Sequence, residues 1–456
     1  MPSLAVGLRE RMRVRDFLML LHRLLLLVVL FGSVFCCCEG ARAQGVVEAT
    51  AGPQNRSAKG VYTLPPEKMK LAVALFRMRT LLHFAGAGWG ILQLLLVLAL
   101  GVAARLRDVA VRVTRNRWGQ GFLFTLLLLA VLLVLDLPLA VYGHHLSLVY
   151  GLSVQGWASW LGDLGKSFVL DWLTTGLGVM LLFWLIGRSE RRWWFWFWIP
   201  AMVSVVFGVF VSPIFIDPLF NHFEPLVTHD PALVVRLERV VARGPLTIPP
   251  ERMFWMQASA KYTGLNAYVT GIGPSKRVVV WDTSIAKATP DEISYIFGHE
   301  MGHYVLHHIY RTLVFVGVLM LAAFWVGFHL ARYLLRRYGA RWGIASQHDW
   351  AALAVYLMVL ATLTFVTEPL VNGYSRAQEH AADVYGQEAI HGIVADPQRT
   401  AAESFQVLGE TSLDDPTPHP FVEWWSYSHP SIANRATFAA AYDPWGPDGH
   451  PRYFAK

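Results

Sequence analysis

"FGHEMGHYVLHH", residues 297–308, is the stretch on which the reading of this chain turns. Just upstream, Thr289-Pro290-Asp291-Glu292 offers Thr as an N-cap, Pro at the first helical position and Glu three residues past the cap. That pattern predicts a helix from about 290 running through the stretch. On it, His299 and His303 are four residues apart and share one face, with Cβ atoms about 6 Å from each other. Two neutral imidazoles so placed suit zinc, at about 2.0–2.1 Å from each nitrogen. Glu300 follows the first His in this H-E-x-x-H order, where it can act as general base toward water at the metal. Gly302, a poor helix former by about 1 kcal/mol relative to Ala, points to close packing between the two His.

A catalytic zinc needs a third protein ligand and one open position. Cys36, Cys37 and Cys38 are the only cysteines, so the rest of the chain has no disulfide framework and any metal there is held by His, Asp or Glu. The third ligand is expected in "NGYSRAQEHAAD", residues 372–383. Ser375 and Gln378 read as a second capping box, with Glu379 in the first turn of a new helix near 376–391. Glu379 would bind the metal, and Asp383, four residues on, would accept a hydrogen bond from a ligand imidazole. Three protein ligands leave the fourth position to water, so His307, His308 and His380 are not expected on the metal.

Composition sets these motifs in a membrane protein. The chain is 54% hydrophobic and 16% charged, and soluble domains carry about 25% charged residues. The net charge of +7 comes largely from Arg flanking apolar runs, and nothing resembles a nucleic-acid-binding module. Arg9, Arg11, Arg13 and Arg15 precede the apolar run 17–35, and Ala41-Arg42-Ala43 follows it, so segment 1–43 is a cleavable signal peptide or a first membrane helix. A polar loop (44–81) comes next. Apolar spans are expected near 82–104, 121–142, 168–187 and 194–215, then 311–333 and 350–371, each long enough for about 30 Å of hydrocarbon. Asp136 inside the second span is expected to face protein rather than lipid, and Glu368 to lie at a span end. His144-His145 reads as an interface-facing pair and "WWFWFWIP" (193–200) as an interfacial aromatic belt.

Between spans, 216–310 and 372–456 read as the two parts of a water-facing domain. Asp230-Pro231 marks a helix start, and Arg252–Ser259, Leu265–Gly271 and Arg277–Thr283 read as strands, with Gly271, Gly273 and Pro274 in a turn. The expected fold is mainly α and polytopic, with six to seven membrane helices around a zincin domain that carries a small β-sheet.

Taken in order, HEMGH, "NAYVTG" (266–271), "NGYSRAQEHAAD" and "SHPSIANR" (428–435) resemble the type I CAAX prenyl endopeptidases and related bacterial membrane zinc metalloproteases. The resemblance runs from about 62 to 441. It implies zinc held by His299, His303 and Glu379, Glu300 as base, and Asp383 steadying a ligand His. It implies further that His429 and Arg435 form an H-P…R element whose His stabilises the oxyanion, and that Asn266-Ala267 opens an edge strand that pairs with an extended substrate. His308 matches a position where family members often carry a His that is not a ligand. The family encloses its site in a chamber ringed by seven membrane helices, and the signal-like first span leaves the seventh open here.

The expected activity is that of a zinc metalloendopeptidase acting on peptide or protein substrates, lipidated or membrane-embedded ones included, in a bacterial inner membrane. The alternatives are a catalytically silent scaffold or chaperone on the same fold, which would have no need of Glu300, and a transporter, whose repeated halves with broken helices are not seen. Arg-rich segments around 9–15, 105–117, 188–192 and 332–341 fall on one side if every span crosses. The positive-inside rule then puts the site on the exported side, although Lys68, Lys70, Arg77 and Arg79 follow the first polar loop. Eukaryotic family members face their site to the cytosol, so charge and resemblance point opposite ways.

Overall fold

Proline, glycine and an asparagine cap mark the first helix boundaries. The computed structural model describes residues 62–271 and 276–455; the N-terminal segment 1–43, the polar loop up to 61, and Gly273 and Pro274 of the turn lie outside the described residues. Pro66 occupies the first turn of helix α1 (Pro66–Ala99). The span therefore begins well before 82, and residues 66–81 are helix rather than loop. The reason lies in the packing of the lower turns, where Ala72 and Leu75 are buried against the C-terminal part of the chain. Gly101, at φ 66, breaks the chain before α2 (Val102–Val113). This amphipathic helix buries Val102, Ala103, Leu106 and Ala110 at helical spacing. Asn116 caps α3 (Arg117–Val149), accepting from Trp118 N at 2.8 Å. Helices α4 (Trp157–Arg188) and α5 (Trp193–Phe210) complete the first group. Both carboxylate oxygens of Asp136 accept from Gln93 Nε2 (3.1 and 3.2 Å), so it faces protein as expected, here α1. His144 is buried between Trp157 and Trp160, stacked on the latter at 5.0 Å, and does not face the interface. Aromatic burial outcompetes snorkelling there, because neighbouring rings cover the imidazole on two sides. The aromatic run divides, with Trp193 packed on Phe328 and Tyr356 while Phe195 and Trp196 remain exposed.

A four-stranded sheet follows in the order β1 (Phe223–Pro225), β2 (Met253–Met256), β4 (Arg277–Trp281), β3 (Ala267–Thr270). The parallel β2–β4 pair is flanked by antiparallel partners, and β3 forms one edge. Three strands lie where alternation places them, and β1 is an addition. Helix α6 (Pro231–Val241) starts under the Asp230 cap, which accepts from Leu233 N at 2.8 Å. The Thr289 capping box forms and opens α7 (Pro290–Val305), the H-E-x-x-H helix. Leu233, Leu237, Val240, Met253, Val278, Val280, Ile293, Phe297 and Met301 make one core that binds α6 and the sheet to α7. Two long helices, α8 (His308–Tyr338) and α9 (Ala352–Ala389), leave and return. Helices α10 (Pro397–Ser412), α11 (Pro420–Ser426) and α12 (Ile432–Ala441) close the chain.

No helix begins at Ser375. The last span and the Glu379 segment are one 38-residue helix, α9, with Pro369 inside it. A capping box stabilises a helix start only where upstream residues leave the helix, and here they continue it. Glu368 is not a loose end either, since it accepts from Trp425 Nε1 at 3.1 Å and lies 3.0 Å from His83 Nε2.

Among the described residues six helices (α1, α3, α4, α5, α8 and α9) are long and apolar enough to cross a membrane. An even number returns the chain to its starting side, and Tyr62 OH indeed donates to Asp414 O at 2.8 Å. The Arg-edged loops gather at the other end. Arg107 reaches Asp349 Oδ2 (2.5 Å) and Gly343 O (2.8 Å), and His348 meets Glu190 at 2.8 Å.

Helices α7 and α9 touch through small residues. A Cβ on Gly386 would lie 2.7 Å from the backbone N of His299, and one on Gly302 would lie 3.0 Å from Tyr385 Cβ, which is the close packing Gly302 announced. Gly386→Ala should therefore lower stability by about 1–3 kcal/mol through overpacking, against the ~1 kcal/mol that Ala gains in helix propensity. Thermal unfolding of the purified protein in detergent measures it, and an unchanged or higher melting temperature would show that the crossing is looser than this.

Candidate active site

The close crossing lets α9 present its carboxylates to the imidazoles of α7. His299 and His303 face each other with Nε2 atoms 3.1 Å apart. Glu379 Oε2 is 3.2 Å from His299 Nε2, and Glu379 Oε1 is 3.5 Å from His303 Nε2. Zinc at about 2.0–2.1 Å from each of three tetrahedral ligands would set them about 3.3 Å apart, so the donor set fits the ion. All three donors lie within 4.8 Å of one another. Glu379 Oε2 is also buried without an aligned hydrogen-bond donor, as expected of an oxygen reserved for a cation.

The far nitrogen of His299 decides its orientation. Nδ1 lies 2.8 Å from Asp383 Oδ1, which leaves Nε2 facing Glu379 and available to hold a metal. Asp383 is almost fully buried and has further partners. Arg435 donates through Nε at 2.9 Å and Nη2 at 2.6 Å, and Tyr295 OH donates at 3.3 Å. Arg435 also lies 3.6 Å from Glu379 Oε2 and stacks over the Phe405 ring at 4.6 Å. Burial opposes charge on His299, but Asp383 and Glu379 outweigh it and hold the imidazole of the chain alone up to about 10. Burial and the neighbouring His299 push His303 down to about 3. Glu300 is surrounded by protein yet keeps some accessible surface, and burial pushes its carboxyl up to about 7. A base enclosed by protein but reachable by water is the arrangement general-base catalysis requires.

His429 lies on the open side, its Nε2 3.3 Å from Glu379 Oε2 and its Nδ1 2.9 Å from Ser428 Oγ. Tertiary structure thus gathers His299, His303, Glu300, Glu379, Asp383, His429 and Arg435. It leaves Asn266 and Ala267 apart, at the start of edge strand β3, which packs along α7. The main chain of Asn266 is committed inward, its carbonyl accepting from Trp281 N (3.1 Å) and Ser284 Oγ (2.8 Å). Alternation along the ladder then turns the backbone of Ala267 and Val269 away from β4, although Ala267 itself is buried. Two participants are additional to those read from the sequence. Tyr295 sits four residues before His299 on the same helix face, a spacing that could have exposed it. His308 packs on His303 with Nδ1 atoms 3.1 Å apart, and the helix break that places it there leaves no periodic signal.

A helical membrane scaffold carrying this donor set defines a membrane metalloprotease. The model of peptidase family M48 matches residues 230–442, and the one described as CAAX prenyl protease N-terminal, five membrane helices, matches residues 58–222. The chain belongs to peptidase family M48, with the N-terminal membrane region of the CAAX prenyl proteases. It is 33% identical over 396 residues to the uncharacterized metalloprotease YhfN of Bacillus subtilis, covering 86% of this chain and 90% of that one. To CAAX prenyl protease 1 of Saccharomyces cerevisiae it is 24% identical over 334 residues, covering 70% and 72%. The crystal structure of S. mikatae Ste24p shares the fold, with a TM-score of 0.72 at 22% identity over 83% of this chain and 90% of that one.

Asp383→Ala strands the buried Arg435 charge, so it should cost about 3–5 kcal/mol, visible as a lower melting temperature. Arg435→Met in the same chain should recover part of that loss. Equal melting temperatures for wild type and Asp383→Ala would show that the pair does not brace the site.

Proposed function

We propose that this protein is a zinc endopeptidase that hydrolyses peptide bonds in protein substrates at a membrane. One observation carries the reading: His299 Nε2, His303 Nε2 and a Glu379 carboxylate converge at tetrahedral spacing beside a Glu300 whose carboxyl burial tunes toward neutrality. Zinc held there acidifies water and polarises a carbonyl. An extended substrate adds to the outer edge of β3 through the partly exposed Val269, displacing what covers the buried Ala267, with the exposed Asn266 side chain at the strand's start. Glu300 takes a proton from the attacking water and returns it to the leaving amine. His429 donates from Nε2 to the developing oxyanion. Asp383, Arg435 and Tyr295 keep His299 aimed. A partly accessible base supports an enzyme over a silent scaffold.

We also place the site on the exported face of a bacterial inner membrane. The support is the gathering of Arg107, Arg117 and the 188–192 and 332–341 segments at the end away from the site, where the positive-inside rule puts the cytoplasm.

Glu300→Gln should keep zinc and fold but lose hydrolysis, because an amide cannot accept the proton. His429→Ala should keep zinc and slow hydrolysis roughly 10²–10³-fold. Glu379→Ala should lose most of the zinc by metal analysis. Wild-type cleavage by Glu300→Gln, or full zinc occupancy in Glu379→Ala, would refute the mechanism. For orientation, a C-terminal alkaline phosphatase fusion in a bacterial host should be active and a cytosol-only fluorescent fusion dark; the opposite pair of results would turn the site to the cytoplasm.

A further inference from the structure

His303 Nε2 is aimed at the metal site, so its Nδ1 needs a partner, and among the described residues no carboxylate supplies one. The nearest group is His308 Nδ1 at 3.1 Å. We propose that His308 is the positioning residue for His303: its Nδ1 accepts the Nδ1–H of His303 and so fixes the tautomer that offers Nε2 to zinc. This rests on the zinc reading above.

The backbone is shaped for this contact. Five residues along an unbroken helix turn about 140° away, so His308 would not meet His303 on a continuous α7. The chain breaks instead at His307, which takes the left-handed conformation at φ 58, ψ 29. Only one other non-Gly residue among the described residues has positive φ. A bulky residue in that region is strained and persists only where its surroundings impose it. The break swings His308 back beneath His303, where it is almost fully buried. The far side is braced as well. The His308 carbonyl accepts from Gln378 Nε2 at 3.4 Å, and Gln378 Oε1 accepts from Thr312 Oγ1 at 2.9 Å. Gln378 adjoins the ligand Glu379, so the first turn of α8 is tied to both helices that carry ligands. Two imidazoles that meet through Nδ1 can share only one proton between them in the neutral state, and zinc on His303 Nε2 requires it on His303. His308 is then left with its proton on Nε2.

The test uses the full chain in detergent, with zinc affinity measured by chelator competition and the zinc-induced rise in melting temperature read alongside. His308→Leu fills the space but removes the acceptor, and zinc should bind about 10–100-fold more weakly, with a smaller thermal rise. His308→Asn places an amide oxygen near the Nδ1 position and should restore affinity to within about threefold of wild type. Reading the rise, rather than the melting temperature itself, removes any plain packing loss. Wild-type affinity in His308→Leu overturns the proposal. So does a loss in His308→Asn as large as in His308→Leu, even if the latter folds poorly. Wild-type protein that held no zinc would overturn the metal reading and this one with it.

Discussion

One buried carboxylate organises this molecule. Asp383 receives His299 from α7, Arg435 from α12 and Tyr295 from α7 while itself standing on α9. An isolated carboxylate at that depth would be costly, and each partner offsets part of its desolvation. The dependence is mutual, because the largely enclosed Arg435 finds its main charge partner in Asp383. Three helices from distant parts of the chain are therefore held in one register by a single side chain. That register sets where His299 Nε2 points.

The glycines at the α7–α9 crossing make that arrangement reachable. Glu and Asp side chains are short, so carboxylates on one helix meet imidazoles on another only when the two backbones nearly touch. Gly386 meets the His299 backbone directly, and Gly302 meets Tyr385. Two long apolar helices, α8 and α9, adjoin the crossing. Since α9 is one helix from Ala352 to Ala389, the membrane span and the Glu379 segment are continuous. Helix α8 begins within the same side-chain cluster, at His308.

The legible parts were those coded locally. His299, Glu300 and His303 follow from spacing on a helix whose start is written in Thr289 and Glu292. The β2, β3 and β4 strands follow from alternation, and Asp136 was rightly turned toward protein. Misreadings arose where a local signal was overruled at a distance. Ser375 and Gln378 have the residues of a cap, yet the helix entering from the membrane does not end for them. Residues 66–81 look too polar for a span, yet their apolar face is covered by the C-terminal part of the chain. His144 reads as a surface histidine until two tryptophans close over it.

The sequence by itself determined the chemistry available: a histidine pair, a neighbouring carboxylate, acidic partners downstream and apolar helices to hold them in a membrane. These depend on period and composition, which act over a few turns of chain. Only the tertiary structure decided which nitrogen of each histidine faces the site, that Arg435 acts through Asp383, and that His308 returns to His303 across a strained turn. The first two outcomes depend on backbone approach and on the desolvation of charge by elements about eighty to one hundred and forty residues apart, and the third on a backbone break at His307 that no periodic pattern encodes.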